Sequence, residues 1–368
     1  MGRLIVHVAE VNLSEESGMG RIAYYWKKQF EKRGYEFLHI GPAEVGSLRH
    51  PALFPDAAHR IYKQLGRKAS IFLVHEPASG SFLKFGIPTV LFSHGLERRG
   101  WELQLQAKEG TTEKLKWRTK ILFPLWRLRQ CDLGLSKTNL LLLSNQQDVD
   151  FAQKYYCRDA KHSYVFKNGV FPSALDEKTQ PLEPLTVLFL GTWTKRKGIR
   201  TLTEAAQILQ SEGFYANWLL AGTGLDSETV LKDWSEEIRP FVEVIPRFHR
   251  DAESNLFARA NVFVLPSFFE GQPLALLQAM ESGRCCITTN CCGQRDLIKN
   301  GYNGLLHEPG DAQTLAALIQ DCAKNKDLRT TLGKNAKQSV SDRSWEVTSA
   351  EVVDQIEEVL SQYCEVKC

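Results

Sequence analysis

The stretch VFVLPSFFEGQPLALLQAMESGRCCITTNCCGQRDLIKNGYNGLLHEPGD, residues 262–311, contains a strand, an acidic loop and a helix start in that order. The apolar run 262–265 predicts a buried strand, and Glu270 follows it in a loop. Pro273 suits the first position of a helix, which the good helix formers of 274–280 continue. Because free N–H groups and the positive end of the helix dipole meet at such a start, the segment predicts a site for a phosphate or a sugar.

The composition excludes several classes of protein. A chain of 368 residues with 43% hydrophobic content is long enough for two folded domains. The net charge of +3, from 46 basic and 43 acidic side chains, gives no reason to expect a nucleic-acid partner. Nine cysteines fit no small disulfide framework, and residues 1–11 enter a strand without a signal-peptide core. We therefore expect a cytoplasmic protein without a membrane span.

Strand-like and helical segments alternate along the chain, which predicts an α/β fold with parallel sheets. Two series of β-rich runs are separated by a proline-rich and charged segment. The runs of the first series are 4–9, 37–40, 71–74 and 89–92, and those of the second are 185–190, 218–221, 241–245, 262–265 and 286–289. The predicted domains are therefore residues 1–171 and 185–345, with a linker at 172–184, and a ligand is expected in the cleft between them.

A basic cluster follows the first strand of the second series. Lys195, Arg196 and Lys197 lie in the sequence GTWTKRKG, residues 191–198, between a strand and a helix. Three cations at a strand end suit a diphosphate, although a solvated turn is the ordinary interpretation of a lone basic cluster.

Two features of the first domain could contact a ligand. Gly18 and Gly20, in SGMGR, lie between the first strand and a helix predicted to begin near Ile22, where glycine lets a backbone approach a phosphate closely. His94 follows the strand 89–92 and could hydrogen-bond a sugar hydroxyl, but a lone histidine is usually structural. His75 and Glu76 end the preceding strand, and their expected roles are acceptor-side or structural.

We expect no metal ion. Four neighbouring cysteines invite a zinc interpretation, but adjacent cysteines do not easily point into one tetrahedral site. An Asp-x-Asp sequence heads a predicted helix, where acidic residues stabilise the helix start. The four cysteines are Cys285, Cys286, Cys291 and Cys292, and the Asp-x-Asp sequence consists of Asp148, Val149 and Asp150.

Basic and aromatic residues interleave from 98 to 129. We favour a surface helix of the first domain with an apolar inner face. The alternative is peripheral contact with an anionic membrane, which would suit a lipid-linked or otherwise anionic acceptor.

The order of residues in 262–311 resembles the signature of glycosyltransferase family 4, in which an acid precedes Gly-x-Pro and a helix, and a second acid follows the first after seven intervening residues. Here Glu270 is the first acid and Gln278 occupies the second position. The family also carries Gly-Arg followed by Lys-Gly. Lys197 matches that lysine, whereas the arginine position is Thr192, so Arg196 would supply the second charge from another direction.

The resemblance implies the GT-B fold, with two doubly wound Rossmann-like domains facing across a cleft and a last helix, about 346–368, packed on the first domain. It implies retaining, metal-independent transfer of a sugar from a nucleotide diphosphate sugar, UDP- or GDP-linked, to an acceptor hydroxyl in glycan, polysaccharide or glycolipid synthesis. The residues it assigns to catalysis are Glu270, His94 and Lys197. Those it assigns to the donor are Gly18, Gly20, Arg196, Lys197, Arg247, Glu270, Gly271, Gln272, Pro273, Leu274 and Gln278.

Two alternatives remain. The departures at Thr192 and Gln278 are compatible with a GT-B-like protein that binds a nucleotide or glycan without efficient transfer. A hydride-transferring dinucleotide enzyme is disfavoured, because no strand is followed directly by Gly-x-Gly-x-x-Gly.

Overall fold

The computed structural model describes residues 3–16, 18–106, 115–173, 175 and 184–365. These residues form two compact units. Unit 1 contains the described residues up to Gly169 together with those from Trp345 onward, and unit 2 lies within Val170–Ser344. Of the predicted linker 172–184, residues 174 and 176–183 lie outside the described residues.

Unit 1 contains a six-stranded parallel sheet with the strand order β2-β1-β3-β4-β5-β6. Its central strands are mostly apolar and are buried along nearly their whole length, as expected for a parallel sheet covered on both faces. The strands are β1 (Leu4–Val8), β2 (Glu36–Ile40), β3 (Ile71–His75), β4 (Thr89–Ser93), β5 (Leu140–Leu143) and β6 (Ser163–Val165).

Among the described residues, unit 1 contains eight α-helices that precede Gly169, α1 to α8, together with the last helix of the chain, α16. Helix α1 buries Ile22, Trp26 and Phe30, which recur every four residues and so share one face. The last helix, α16, packs beside α1, where the rings of Trp345 and Tyr25 stack with centroids 4.8 Å apart. The helices are α1 (Gly18–Lys32), α2 (Pro42–Val45), α3 (Phe54–Gln64), α4 (Glu76–Phe82), α5 (Glu97–Gln106), α6 (Trp117–Phe123), α7 (Arg129–Lys137), α8 (Gln146–Tyr156) and α16 (Trp345–Glu365).

Unit 2 contains a second six-stranded parallel sheet, with the order β12-β11-β10-β7-β8-β9. Its strands are β7 (Thr186–Leu190), β8 (Asn217–Ala221), β9 (Val242–Ile245), β10 (Val262–Leu265), β11 (Cys285–Thr289) and β12 (Leu305–His307). Its helices are α9 (Ile199–Ser211), α10 (Ser227–Leu231), α11 (Glu253–Ala258), α12 (Leu274–Glu281), α13 (Cys292–Leu297), α14 (Ala312–Lys324) and α15 (Lys326–Ser339). The two-unit α/β architecture predicted from the alternation is therefore confirmed.

Strand order locates the point in each sheet where a ligand is expected. In unit 2 the chain runs from β7 outward through β8 to β9, then returns to the other side of β7 as β10. In unit 1 the corresponding change of direction lies between β1 and β3. Loops at the carboxyl ends of two such strands diverge and leave a crevice, which is where doubly wound sheets bind ligands.

The glycine-rich turn is the clearest correction to the sequence analysis. The helix predicted to begin near Ile22 begins at Gly18, so Gly18 and Gly20 belong to the first turn of α1 rather than to a loop. Ser17, the first residue of SGMGR, lies outside the described residues.

No helix within the described ranges is both long and apolar enough to cross a bilayer.

Candidate functional site

The candidate site lies at the carboxyl ends of β7 and β10, where the strand order of unit 2 changes direction. A 3-10 turn, Lys195–Lys197, follows β7 and is stopped by Gly198 at a φ of 73°. A Cβ atom on Gly198 would lie 1.9 Å from the carbonyl oxygen of Pro266. Only glycine therefore permits both this backbone conformation and the close approach of the basic turn to the end of β10.

Glu270 forms ion pairs with Lys197 and Arg196, two residues of this turn that were predicted to bind a diphosphate. Its Oε1 lies 2.7 Å from Lys197 Nζ and 3.0 Å from Arg196 Nη1. Arg196 Nη1 also donates to the carbonyl oxygen of Phe269 at 2.6 Å. Glu270 is 9% exposed, whereas half of the Arg196 side chain is exposed. The structure thus brings Glu270, Lys197 and Arg196 into one cluster.

The charge of this cluster is set by two opposing effects on the Glu270 carboxyl. Burial raises its pKa, because desolvation disfavours the charged form. The positive charges of Lys197 and then Arg196 lower it, and the pKa ends below its ordinary value. Glu270 is therefore an ionised carboxylate at neutral pH, and the cluster carries two positive charges against one negative charge.

The loop between Glu270 and α12 is fixed by contacts on two sides. The N–H of Gly293 donates to the carbonyl oxygen of Glu270 at 3.2 Å, and a Cβ on Gly293 would lie 1.6 Å from the carbonyl oxygen of Gly271. The side chain of Gln272 accepts a hydrogen bond from Arg343 at 3.2 Å. Pro273 then precedes Leu274, the first residue of α12. Contacts with α13 and with Arg343 thus hold the acidic loop that leads to α12.

Gln278, predicted to contact the donor, is engaged elsewhere in unit 2. Its Nε2 donates to the carbonyl oxygen of Phe171 at 3.0 Å, and its Oε1 accepts from the N–H of Phe171 at 3.3 Å. The guanidinium of Arg250 lies 3.4 Å from the centroid of the Phe171 ring. Sequence reasoning missed these contacts, since Phe171 lies far from Gln278 along the chain.

Two further positions of the expected donor site are on the surface of unit 2. Arg247 is exposed in the loop after β9, and Thr192 is exposed in the loop after β7. The backbone of these loops is held to its neighbours: Trp193 N donates to Thr223 O at 2.8 Å, and Gly224 N donates to Pro246 O at 3.0 Å. The loops after β7, β8 and β9 therefore support one another at the same edge of the sheet.

His94 of unit 1 belongs to a group of four buried or half-buried histidines. The rings of His94 and His75 have centroids 5.7 Å apart, and His7 Nδ1 lies 2.8 Å from His39 Nδ1. Burial, and then the neighbouring charges, lower the pKa of His94 and of His75 to about 3. His94 is therefore neutral at physiological pH, so one ring nitrogen is an acceptor and the other a donor.

A buried carboxyl group holds the turn that carries His94. Glu76 is fully buried, and its Oε2 accepts from Ser93 Oγ at 2.7 Å and from the N–H of Glu97 at 3.2 Å. The N–H of Leu96 donates to Asp148 Oδ2 at 3.3 Å. Burial, reinforced by the charge of Glu97, raises the pKa of Glu76 to about 8. The sequence showed that Glu76 follows a strand, but not that its carboxyl is buried.

The residues considered for metal binding are dispersed. Cys285 Sγ faces Cys322 Sγ at 3.6 Å, Cys286 contacts the carbonyl oxygen of Arg284, and Cys291 contacts the carbonyl oxygen of Phe268. Asp148 pairs with Arg99 at 2.5 Å. Among the residues that the structure describes, no three His, Cys, Asp or Glu side chains converge in a way that could hold a metal ion.

The candidate site lies in a part of the chain that is similar to known proteins. Residues 172–339 match the model of a family described as glycosyl transferases group 1. The chain is 30% identical over 242 residues to UDP-Gal:alpha-D-GlcNAc-diphosphoundecaprenol alpha-1,3-galactosyltransferase of Escherichia coli, an alignment that covers 62% of this chain and 60% of that protein. The chain spans less than half the length of several other curated relatives that it matches.

Solved structures share the fold of this chain. Sucrose-phosphate synthase from Thermosynechococcus elongatus matches with a TM-score of 0.77 and 18% identity, over 98% of this chain and 100% of that chain. Anabaena Alr3699/HepE in complex with UDP and glucose matches with a TM-score of 0.66 and 17% identity, over 97% and 99% of the two chains. The fold is accordingly GT-B, and residues 172–339, which contain the Lys197–Glu270 cluster, have the sequence pattern of the glycosyl transferases group 1.

Proposed function

We propose that this protein is a family 4 glycosyltransferase that moves a sugar from a nucleotide diphosphate sugar, UDP- or GDP-linked, to an acceptor hydroxyl with retention of the anomeric configuration. The observation that carries the proposal is the cluster of Lys197, Arg196 and Glu270 at the point where the strand order of unit 2 changes direction. The group 1 family match over residues 172–339, and a relative named for a UDP-Gal donor, support a nucleotide-sugar substrate.

The cluster can supply the charges that such a transfer needs. When the bond between the anomeric carbon and the diphosphate breaks, negative charge develops on the leaving oxygens. Lys197, which Glu270 holds at 2.7 Å, and Arg196 would stabilise that charge, together with the N-terminus of α12. Because these groups are already oriented, they cost little reorganisation during the reaction. A metal ion would not be required for this purpose.

The remaining steps are those that the resemblance to family 4 implies. The acceptor hydroxyl would attack the anomeric carbon from the face that the diphosphate leaves, and its proton would pass to a phosphate oxygen of the donor. Glu270 would orient the donor sugar, and neutral His94 would hydrogen-bond a sugar hydroxyl. Arg247, Gly271, Gln272, Pro273 and Leu274 would line the donor, with Gly18 and Gly20 at the start of α1 contributing backbone.

The test compares two lysines of the same turn. Lys197→Ala removes the cation that contacts Glu270, and we expect a loss of transfer or donor hydrolysis of about a hundredfold or more. Lys195→Ala removes a neighbouring cation for which no contact with Glu270 is seen, and should change turnover by no more than a few-fold. A panel of UDP- and GDP-sugars serves as donors. Equal effects of the two substitutions would reject the assigned role of Lys197.

A second candidate function is binding of a nucleotide or glycan without efficient transfer. It is favoured by Thr192, which lacks the charge expected at its position, and by Gln278, whose amide is engaged by Phe171. Calorimetry with the same panel separates the two. Saturable binding of a sugar nucleotide with neither transfer nor hydrolysis would favour this second function.

We further propose that α6 and the π-helical turn after it, Pro124–Leu128, contact an anionic membrane surface. Large apolar side chains on this segment face solvent, with Trp117 68% and Trp126 61% exposed. Ile121, Leu122 and Leu125 are also exposed, and basic side chains interleave with them. A helix with an exposed apolar face and basic flanks suits the interface of an anionic bilayer. The relative that acts on a diphosphoundecaprenol-linked acceptor fits this location.

The inner side of this segment explains why the face is oriented outward. Arg127 turns inward and pairs with Glu10 and Glu97, each at 2.7 Å. Phe123 stacks on buried Trp101 with centroids 4.7 Å apart. These contacts anchor one side of the segment, so the tryptophans on the other side remain in solvent. The predicted surface helix with an apolar inner face therefore also presents an apolar outer face.

Sedimentation with lipid vesicles tests the membrane contact. We expect binding to vesicles of phosphatidylcholine mixed with phosphatidylglycerol, and weaker binding to phosphatidylcholine alone. The double variant Trp117→Ser/Trp126→Ser should lose most of the binding, whereas Tyr215→Ser/Tyr302→Ser, which removes exposed rings of unit 2, should keep it. Unchanged sedimentation of the tryptophan variant would exclude this surface.

A further inference from the structure

A cavity of about 410 Å³ lies in unit 1, away from the carboxyl edge of the sheet that carries His94 and Glu76. Lys137 and Asn139 line it from the segment before β5, and Arg158 and His162 line it from the segment before β6. Thr138 and three residues near the end of α16, Val359, Gln362 and Tyr363, complete the wall. Since β5 and β6 begin here, the cavity is at the amino-terminal edge of the sheet. Its volume is in the range of small-molecule sites.

The guanidinium of Arg158 is the best-held cation of this cavity. Nη2 donates to the carbonyl oxygen of Thr138 at 2.7 Å, and Nη1 donates to that of Ser136 at 3.3 Å. The buried Nε has no acceptor among the described residues. Burial lowers the pKa of Arg158, against the opposing charge of Asp159. A partly desolvated cation that is held by carbonyl oxygens, without a carboxylate in hydrogen-bond contact, favours an external anion.

The other polar groups of the cavity add hydrogen-bond donors. Lys137 is exposed, and no ion pair of its ammonium is seen among the described residues. The Oδ1 of Asn139 accepts from the N–H of Thr89 at 2.9 Å, which leaves its Nδ2 as the group able to meet a ligand. His162 Nδ1 is 3.8 Å from a carboxylate oxygen of Asp159. Donors therefore predominate over acceptors.

The opposite wall is less polar and is fixed in place. The hydroxyl of Tyr363 donates to the carbonyl oxygen of Gly86 at 2.7 Å, which orients its ring. Val359 lies one turn earlier on α16 and adds an aliphatic side chain. A ligand with an anionic group at Lys137 and Arg158 and an apolar body against Tyr363 and Val359 would use both walls.

We propose that this cavity is a second ligand site, which binds a small organic phosphate at the amino-terminal edge of the unit 1 sheet. A phosphate group accepts hydrogen bonds from planar guanidinium and ammonium donors at once, which is the chemistry that Arg158 and Lys137 offer. The site shares no residue with the proposed donor site in unit 2. It does not depend on the proposed transferase activity.

Calorimetric titration of the full chain tests this site, with phenyl phosphate and inorganic phosphate as probes. Lys137→Glu should weaken the binding of phenyl phosphate about tenfold or more, because it reverses a charge in the cavity wall. Lys161→Glu makes the same charge change on an exposed side chain that is not in the wall, and should leave the affinity within about twofold. Both lysines are exposed, so both variants should fold, which circular dichroism verifies.

The outcomes separate the possible sources of binding. Tighter binding of phenyl phosphate than of inorganic phosphate, lost only in Lys137→Glu, supports the site. Equal affinity for the two probes overturns the assignment to an organic phosphate. Absence of binding, unchanged binding by Lys137→Glu, or an equal loss in Lys161→Glu overturns the site itself.

Discussion

The side-chain amide of Gln278 makes two hydrogen bonds to the backbone of one residue, Phe171. The amide nitrogen donates to the Phe171 carbonyl oxygen at 3.0 Å, and the amide oxygen accepts from the Phe171 N–H at 3.3 Å. Glu281, one turn further along α12, accepts from the N–H of Ser173 at 3.5 Å. One side of α12 thus holds the segment that enters unit 2. A carboxylate at position 278 could accept the first N–H but could not donate to the carbonyl oxygen.

We therefore predict that Gln278→Glu lowers the free energy of unfolding by about 1–3 kcal/mol, because a carbonyl oxygen loses its donor and faces a negative charge. Urea denaturation measures the effect. Gln207→Glu, at an exposed position of α9, should change it by less than about 0.5 kcal/mol. If Gln278→Glu is as stable as the wild type and binds UDP more tightly, Gln278 faces the donor ribose instead.

Glu76 should make the protein less stable as the pH rises. Its pKa is raised to about 8 in the folded state, so between its unfolded pKa near 4 and pH 8 the folded state binds more protons than the unfolded state. Stability then falls with increasing pH, by at most about 1.4 kcal/mol per pH unit for one proton. Glu76→Gln removes the titrating carboxyl and with it this pH-dependent contribution to the free energy of unfolding. The stability of the variant relative to the wild type should therefore increase from pH 5 to pH 9. Glu236→Gln, which changes an exposed carboxylate, should show no such trend.

The histidine group should have the opposite effect at lower pH. Burial lowers the pKa of His7, His39, His75 and His94, so below pH 6.5 these side chains bind protons in the unfolded state before they do so in the folded state. Stability is therefore lost as the pH falls from 7 to 5. His7→Phe keeps the stacking on Phe37 and Phe92 while removing one titrating ring.

Thermal unfolding at several pH values tests this prediction. His7→Phe should be less stable than the wild type at pH 7, because His39 loses a hydrogen-bond partner, by about 1 kcal/mol. The deficit should shrink by pH 5. The control His249→Phe, at an exposed position, should leave the pH dependence of stability as in the wild type. If the stability deficit of His7→Phe stays constant with pH, the buried histidines do not cause the loss of stability at low pH.

Gly293→Ala should disturb the acidic loop directly. The added Cβ would lie 1.6 Å from the carbonyl oxygen of Gly271, so the loop after Glu270 must move. We expect a loss of stability of about 1–3 kcal/mol together with weaker UDP binding. Gly18→Ala, where a Cβ meets nothing within 4 Å, should not be destabilising. A Gly293→Ala protein with wild-type stability and UDP affinity would show that the loop adapts easily.

How much of this could be predicted depended on whether the deciding interactions were local. The meeting of Lys197 and Glu270 was predictable, because each follows a buried strand and parallel strands end at the same edge. Strand β5, Leu140–Leu143, could not be predicted. Its four consecutive leucines show no alternation of apolar and polar residues that would distinguish a strand from a helix. The first turn of α1 was assigned to a loop because two of its residues are glycines.

The partner of Gln278 could not be predicted at all. Its contact with Phe171 depends on how the chain enters unit 2, more than a hundred residues earlier in the sequence. Likewise, Glu76 differs from an exposed glutamate only through the turn that covers it and the neighbouring Glu97. Such properties belong to the packing of distant segments rather than to a local pattern.

The position of α16 in unit 1 also bears on how the chain is made. Val352, Val353 and Ile356 of this helix are fully buried, and Glu357 binds Arg33 and Tyr35 near the end of α1. During synthesis, every strand of unit 2 leaves the ribosome before this helix does. Unit 2 can thus complete its core while unit 1, although synthesised first, still exposes the apolar surface that α16 will cover. The unit that is translated first therefore cannot complete its core until the last helix of the chain has been made.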